Sequence, residues 1–173
     1  MERASNSDAF GLLGLPPRFD LDPAVIEAAF FERSKELHPD KHASAPAAER
    51  VAVLSRSRAL NDAYQTLKKP VSRAEYLLER EGVTIGDNER IDPEIVMRVL
   101  EAREELAEAR AAGDRGTLEQ LRAAMRATRA EAIAELPRHF ADHALPEAKR
   151  VLIALRYVDR YLEECDAALD DED

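Results

Sequence analysis

The 173-residue chain has one cysteine, no tryptophan, and aromatic residues at only 5%. Each scarcity removes a class of answer. With Cys165 alone, the chain cannot close an internal disulfide or build a cysteine-only zinc or iron–sulfur site, and a reducing compartment fits. Glycine is sparse, and no Gly- or Ser-rich linker or low-complexity arm is visible. No apolar run approaches the ~20 residues that a membrane-spanning helix requires. Positive charge is short as well: 25 Lys and Arg against 35 Asp and Glu give a formal net charge of −10. Nucleic acids and anionic membrane surfaces both demand clustered cations, so neither is an expected partner. Residues 1–10 carry neither the apolar segment of a signal peptide nor the Arg-rich amphipathic character of a presequence, and the expected location is cytoplasmic.

What is present favours helix. Ala, Leu, Glu and Arg dominate, all of them good helix formers. No stretch alternates with period two and no repeat of 20 to 50 residues is visible, so the expected class is all-α. Proline and aspartate punctuate the chain. Pro16-Pro17 closes a short apolar segment over 10–15. Asp22-Pro23, an N-cap followed by a first-turn proline, predicts a helix to about Leu37, with Ile26, Phe30, Ser34 and Leu37 along one stripe. His38-Pro39 stops it, because the residue before proline avoids the helical region. A polar loop over 40–45 follows, then a long helix over about 46–67 and a short one from Pro70 to Gly82. Residues 83–91 read as a linker between a unit at 1–82 and a second at 92–173. Asp92-Pro93 repeats the capping device and predicts a helix to about Ala112, stopped by Gly113. The next helix begins near Asp114 or Thr117 and runs to about Glu135, where Pro137 ends or kinks it. Pro146 opens the last helix, which ends near Leu169.

On that last helix Val151, Leu155, Val158, Leu162, Cys165 and Leu169 form one stripe at spacings of four and three, the pattern of a bundle core. Cys165 then reads as a small buried hydrophobe rather than a reactive thiol. The helix from Pro93 has two faces. Ile95, Val99, Ala102 and Leu106 make the core side. Met97, Leu100, Glu101, Glu104 and Glu108 occupy the opposite arc, with Val96 at its shoulder. Either Met97 and Leu100 touch the other half of the protein, or they form a partner surface with an apolar centre and an acidic rim. Tyr157 lies ~120° off the core stripe of the last helix, so partial exposure is expected there.

His38, Asp40 and His42 share the loop after the second helix. A metal site is not expected from them: Pro39 stiffens the loop and no further ligand set is evident. There is also no nucleophile motif, Gly-rich phosphate loop or glycine–serine elbow, so neither an enzyme nor a cofactor is expected. Taken alone, the segment is a helix C-terminus with His38 facing the dipole, followed by a solvated loop.

A helix ending in His38-Pro39-Asp40-Lys41, a polar loop and a long helix resembles the J-domain. Residues 8–15 are similar to the short first helix of that fold, and residues 61–68, from Asn61 through Tyr64 to Leu67 and Lys68, to the end of its third. Pro70 followed by Arg73-Ala74-Glu75-Tyr76-Leu77-Leu78 narrows the resemblance to the HscB family of iron–sulfur assembly co-chaperones. Met97, Leu100-Glu101 and Arg103-Glu104-Glu105-Leu106, with Glu108, resemble the first helix of that family's three-helix bundle, and Leu155-Arg156-Tyr157-Val158-Asp159 its last. The resemblance implies an all-α J-domain joined to a three-helix bundle, and no enzymatic activity of its own. It implies two partners: a DnaK-type ATPase chaperone (HscA), whose ATP hydrolysis is stimulated, and the iron–sulfur scaffold IscU. It implies chaperone contacts through His38, Pro39, Asp40 and Lys41, with Arg33 and Lys35 on the preceding helix. Scaffold contacts carry over to Val96, Met97, Leu100, Glu101, Glu104, Glu108 and Tyr157.

Departures from the family pattern are specific. The second helix mixes Glu27, Glu32 and Glu36 with Arg33 and Lys35, which dilutes the basic patch usual in J-domains. Arg33 stands where an apolar residue is more usual, and the family aromatic is a tyrosine whose hydroxyl needs water or a partner. The N-terminal cysteine zinc module of some eukaryotic relatives is absent. Two alternative roles are a general J-domain co-chaperone for unfolded clients and a helical adaptor with an inactive J-like loop.

Overall fold

In the computed structural model, residues 8–86 and 89–171 are described. They form seven α-helices, one 3₁₀ turn and no strand. The chain divides into two compact units, the first ending at Glu81 and the second beginning at Gly82.

The first unit holds α1 (Ala9–Leu13), α2 (Pro23–Glu36), the 3₁₀ turn (Pro39–His42), α3 (Ala47–Lys68) and α4 (Pro70–Arg80). Local chemistry sets most of these limits. The Asp22 carboxylate accepts the Ala24 N–H at 2.8 Å, and Pro23 occupies the first turn, where a missing N–H loses nothing. Gly14 ends α1 in the left-handed region at φ 70°, and Leu15 N–H closes the cap onto the Phe10 carbonyl at 2.9 Å. α3 is the spine, packing against α1, α2 and α4. Phe10, Ile26, Leu67 and Leu78 are fully buried between them. Phe30 of α2 stacks on Tyr64 of α3 with centroids 4.3 Å apart.

Two polar clamps complete this unit, both built from α4. The Arg73 side chain is 5% exposed, and its Nη1 donates to the Leu67 and Leu21 carbonyls at 3.2 and 3.4 Å. Its guanidinium also lies 5.0 Å from the Phe19 ring centroid, tying the loop before α2 to the α3–α4 corner. Burial pulls the Arg73 pKa down, against the raising effect of nearby Asp20. Arg73→Met is expected to lower stability by about 2 kcal/mol, because two carbonyls lose their donor. Urea unfolding of the full chain measures this; an unchanged midpoint would contradict it.

The second clamp joins α4 to α1. The Tyr76 hydroxyl donates to the Asp8 carboxylate at 2.6 Å and accepts the Ala9 N–H at 2.9 Å, while Arg80 pairs with Asp8. Burial alone raises the Asp8 pKa, but the Tyr76, Arg80 and Gly11 donors outweigh it and hold the carboxyl low. A carboxyl that ionises more readily folded than unfolded stabilises the fold above ~pH 3.9, and that contribution fades as pH falls through the folded value. Asp8→Asn is therefore expected to cost about 1 kcal/mol at pH 7 and progressively less in acid. A stability gap that stays constant from pH 7 to pH 2 would contradict this.

The second unit is a three-helix bundle of α5 (Pro93–Ala112), α6 (Arg115–Ala141) and α7 (Leu145–Asp170). Asp92 caps α5 through the Glu94 N–H at 2.9 Å, and Gly113 ends it at φ 64°. Asp114 caps α6, accepting from the Thr117 N–H at 3.0 Å and the Thr117 hydroxyl at 2.7 Å. The core joins Leu106 and Ala109 of α5, Leu118 of α6, and Tyr161, Cys165, Ala168 and Leu169 of α7. Burial raises the pKa of both the Cys165 thiol and the Tyr161 phenol, whose hydroxyl donates to the Ala102 carbonyl at 3.0 Å.

Two sequence readings change here. α6 does not stop near Glu135; it continues through Pro137 to Ala141. Proline removes one ladder bond, whereas stopping earlier would free Leu136, which is fully buried. His143, at φ 54°, supplies the left-handed residue that closes the end, with Ala144 N–H on the His139 carbonyl at 2.8 Å. The buried stripe of α7 is also broader than the predicted one. Leu155, Val158, Cys165 and Leu169 are buried, but Val151 and Leu162 are only half-buried, while Ala148, Leu152, Tyr161 and Ala168 join the core. A helix that packs on both α5 and α6 buries two adjoining arcs, not one.

Candidate functional site

The first candidate site is the turn after α2. Pro39 excludes helical backbone at His38, which adopts φ −66° and ψ 131° and becomes the N-cap of the 3₁₀ turn. His38 Nδ1 accepts the Asp40 N–H at 3.3 Å, and the Lys41 N–H donates to the His38 carbonyl at 3.0 Å. The same Nδ1 lies 3.6 Å from the Asp40 carboxylate, so both local contacts of the ring use Nδ1 and leave Nε2 for a partner. The His38 side chain is 59% exposed and the Asp40 side chain 91%. Lys41 is exposed as well. The turn thus offers an imidazole, a carboxylate and an ammonium on one short, stiff loop.

His38 does not face the end of α2 as the helix-terminus reading has it. His42 does so instead: its Nε2 lies 3.0 Å from the Glu36 carbonyl and its Nδ1 3.6 Å from the Glu49 carboxylate. Pro39 is the physical cause, since it swings His38 out of the helical path. Among the described residues no group of three or more His, Cys, Asp or Glu could hold a metal ion.

The predicted cations of α2 lie close in sequence to the turn but are engaged locally. Lys35 Nζ pairs with Glu32 at 2.6 Å, and this hydrogen bond lowers the Glu32 pKa. Arg33 leans onto the end of α1: a Cβ added at Gly14 would sit 2.6 Å from Arg33 Nη2.

The second candidate site is the outer face of α5. Val96, Met97 and Leu100 are 37%, 57% and 49% exposed, an unusual concentration for apolar side chains on one face. Glu101, Glu104 and Glu108 continue it and are exposed, with no ion-pair partner among the described residues. Tyr157 comes from α7 and is half-buried. Two ion pairs give the register of these parallel neighbours: Arg103 with Glu164, bidentate at 2.6 and 3.0 Å, and Arg110 with Asp171, each pair 61 residues apart. The same register sets Tyr157 level with Val96. Tyr157 and Val96 share the 61-residue offset of those two pairs, which matches them in register along α7 and α5.

Sequence reasoning missed another exposed apolar set. Val51 and Leu54 on α3 are 68% and 64% exposed, and Phe31 on α2 is 54% exposed. The signal was available: Val53, Leu60 and Leu67 recur every seven residues and leave Val51 and Leu54 off the buried stripe.

Comparison with known proteins covers both units. Residues 8–76 match the DnaJ domain family, and residues 91–166 match the family described as the HSCB C-terminal oligomerisation domain. A "Co-chaperone protein HscB homolog" of Azoarcus sp. (strain BH72) is 37% identical over 166 residues, 94% of each chain. The homologue of the same name from Ralstonia nicotianae is 37% identical over 177 residues, 99% of this chain and 100% of that one. Among solved structures, chaperone HscB from Vibrio cholerae superposes with a TM-score of 0.83 at 31% identity, covering 95% of this chain and 99% of its own. Human co-chaperone HscB gives a TM-score of 0.85 at 25% identity, covering 96% of this chain and 83% of its own.

Proposed function

The chain belongs to the HscB family of J-domain co-chaperones, and on that premise we propose that it binds the iron–sulfur scaffold IscU and delivers it to HscA, a DnaK-type chaperone whose ATP hydrolysis it stimulates. The observation that carries this reading is the outer face of α5. Val96, Met97 and Leu100 stay exposed above Glu101, Glu104 and Glu108, which have no ion-pair partner among the described residues, and Tyr157 is half-buried on α7. An apolar centre with a charged rim suits a protein partner, and the rim selects one with basic character.

The His38-Pro39-Asp40 turn carries the second activity. It acts on hydrolysis in another protein. For that, its contacts must favour the chaperone's hydrolysis-competent arrangement over the resting one; equal contact with both would shift nothing. Holding scaffold and turn on one chain raises the local concentration of client beside the chaperone. The cluster is the scaffold's cargo, since one buried cysteine cannot ligate it here.

Steady-state ATP hydrolysis by an HscA-type chaperone tests the proposal, with this protein and IscU added singly and together. The expected result is stimulation that exceeds the sum of the separate effects. Stimulation of a general DnaK regardless of IscU would replace the proposal with a broad J-protein role.

A further inference from the structure

Four residues beyond His38 and two beyond Asp40, His42 is the less exposed histidine of the turn. Its side chain is 25% exposed, against 59% for His38 and 91% for Asp40. A carbonyl can only accept, so the contact between His42 Nε2 and the Glu36 carbonyl at 3.0 Å places the proton on Nε2. Glu36 is the last residue of α2, where carbonyls lack an intrahelical donor. The other ring nitrogen lies 3.6 Å from Glu49, in the first turn of α3, and that contact is an ion pair only when the ring carries its second proton. The imidazole thus bonds to the end of the helix before the turn and, when doubly protonated, also pairs with the start of the helix after it. Among the described residues, no other side chain of the turn makes a hydrogen bond or ion pair to either helix. The remaining bonds are internal to the loop: Asp40 N–H to His38 Nδ1, Lys41 N–H to the His38 carbonyl, and Ala45 N–H to the His42 carbonyl at 3.0 Å.

We infer that His42 is a positioning residue that locks the turn in the conformation presenting His38 and Asp40 to the chaperone. The inference rests on the co-chaperone reading above and adds a residue that touches no partner. Without the bond from His42 to Glu36, the segment over 37–46 between the two helices loses the side-chain tie of its 3₁₀ turn to them and samples more conformations. A partner that binds one conformer then meets it at a lower fractional population. Apparent affinity falls by that fraction, while the complex, once formed, is the same.

This separates positioning from direct contact. Stimulation of chaperone ATP hydrolysis is measured against concentration of the full chain for wild type, His42→Ala, His42→Gln and Glu49→Gln. Amide hydrogen exchange at Lys41 and Ala45 is followed in the same proteins. His42→Ala is expected to raise the half-stimulating concentration about tenfold, the effect of one lost hydrogen bond, with the plateau retained and both amides exchanging faster. His42→Gln keeps a side-chain N–H for the Glu36 carbonyl and is expected to stay within about threefold of wild type. Glu49→Gln is expected to fall between them. An unchanged half-stimulating concentration with unchanged exchange would overturn the inference. So would a lost plateau with normal amide protection, which would make His42 a direct contact. If wild type stimulates no chaperone, the co-chaperone proposal fails, and amide exchange alone decides whether His42 holds the turn.

Discussion

His38→Gln is expected to bring chaperone ATP hydrolysis down to its unstimulated rate while scaffold affinity stays at the wild-type value. Coupling of this kind typically supplies ~1–3 kcal/mol, or about 5–150-fold, and the substitution should remove the whole factor. The structure makes this variant clean. The His38 side chain is 59% exposed and makes one hydrogen bond, to the Asp40 N–H, which a glutamine oxygen can also accept. Stability should therefore change by less than about 0.5 kcal/mol. What glutamine cannot reproduce is Nε2 at the position set by a rigid five-membered ring. Retained stimulation in His38→Gln would leave the turn as a structural feature and move the search to other surfaces. Two of those are already visible: the cations of α2, and the exposed Val51 and Leu54 of α3.

The complementary result is expected from Met97→Ala, Leu100→Ala and Tyr157→Ala combined. Scaffold affinity should fall about 100-fold or more, since truncating central apolar and aromatic contacts commonly costs ~1–2 kcal/mol each. Stimulation in the absence of scaffold should be unchanged. Met97 and Leu100 are exposed, and Tyr157 is half-buried, so the bundle loses little packing. Circular dichroism and the unfolding midpoint of the variant supply the control. Titration against IscU by calorimetry reads the affinity, and normal binding would remove the α5 face from the proposal. Together the two variants form a double dissociation: each should lose one activity and keep the other.

How far the chain announces all this depends on the range of the signal. Helix starts at Asp22-Pro23 and Asp92-Pro93 and the stop at Gly113 are written within one turn of backbone, because the capping side chain and the N–H it satisfies are two or three residues apart. The reversal at His38-Pro39 is equally local, since proline constrains its own neighbour. The two faces of α5 are periodic, so a helical wheel alone separates Val99 and Leu106 from Met97 and Leu100, and the burial pattern agrees. The resemblance to J-domains and to the HscB family rests on the same short-range features, and the matched families cover residues 8–76 and 91–166.

Other features answer to neighbours that no local window contains. Arg73 is a charged residue in an amphipathic helix, yet it is buried because carbonyls of Leu21, 52 residues away, and Leu67 converge on it. α6 passes through Pro137 because Leu136 has a place in the core. α7 buries Tyr161 because the backbone of α5 supplies an acceptor for its hydroxyl 59 residues away. Tyr157 is matched in register with Val96 only through the Arg103–Glu164 and Arg110–Asp171 pairs. His42 turns inward because Glu36 and Glu49 flank it once the loop has closed. The sequence by itself determined an all-helical chain, its caps and stops, the proline-bent turn and the acidic stripe, all governed by interactions within a few residues. The second buried arc of α7, which histidine faces in, and the register that matches the tyrosine to α5 were decided by tertiary packing, because these are properties of the surfaces that meet.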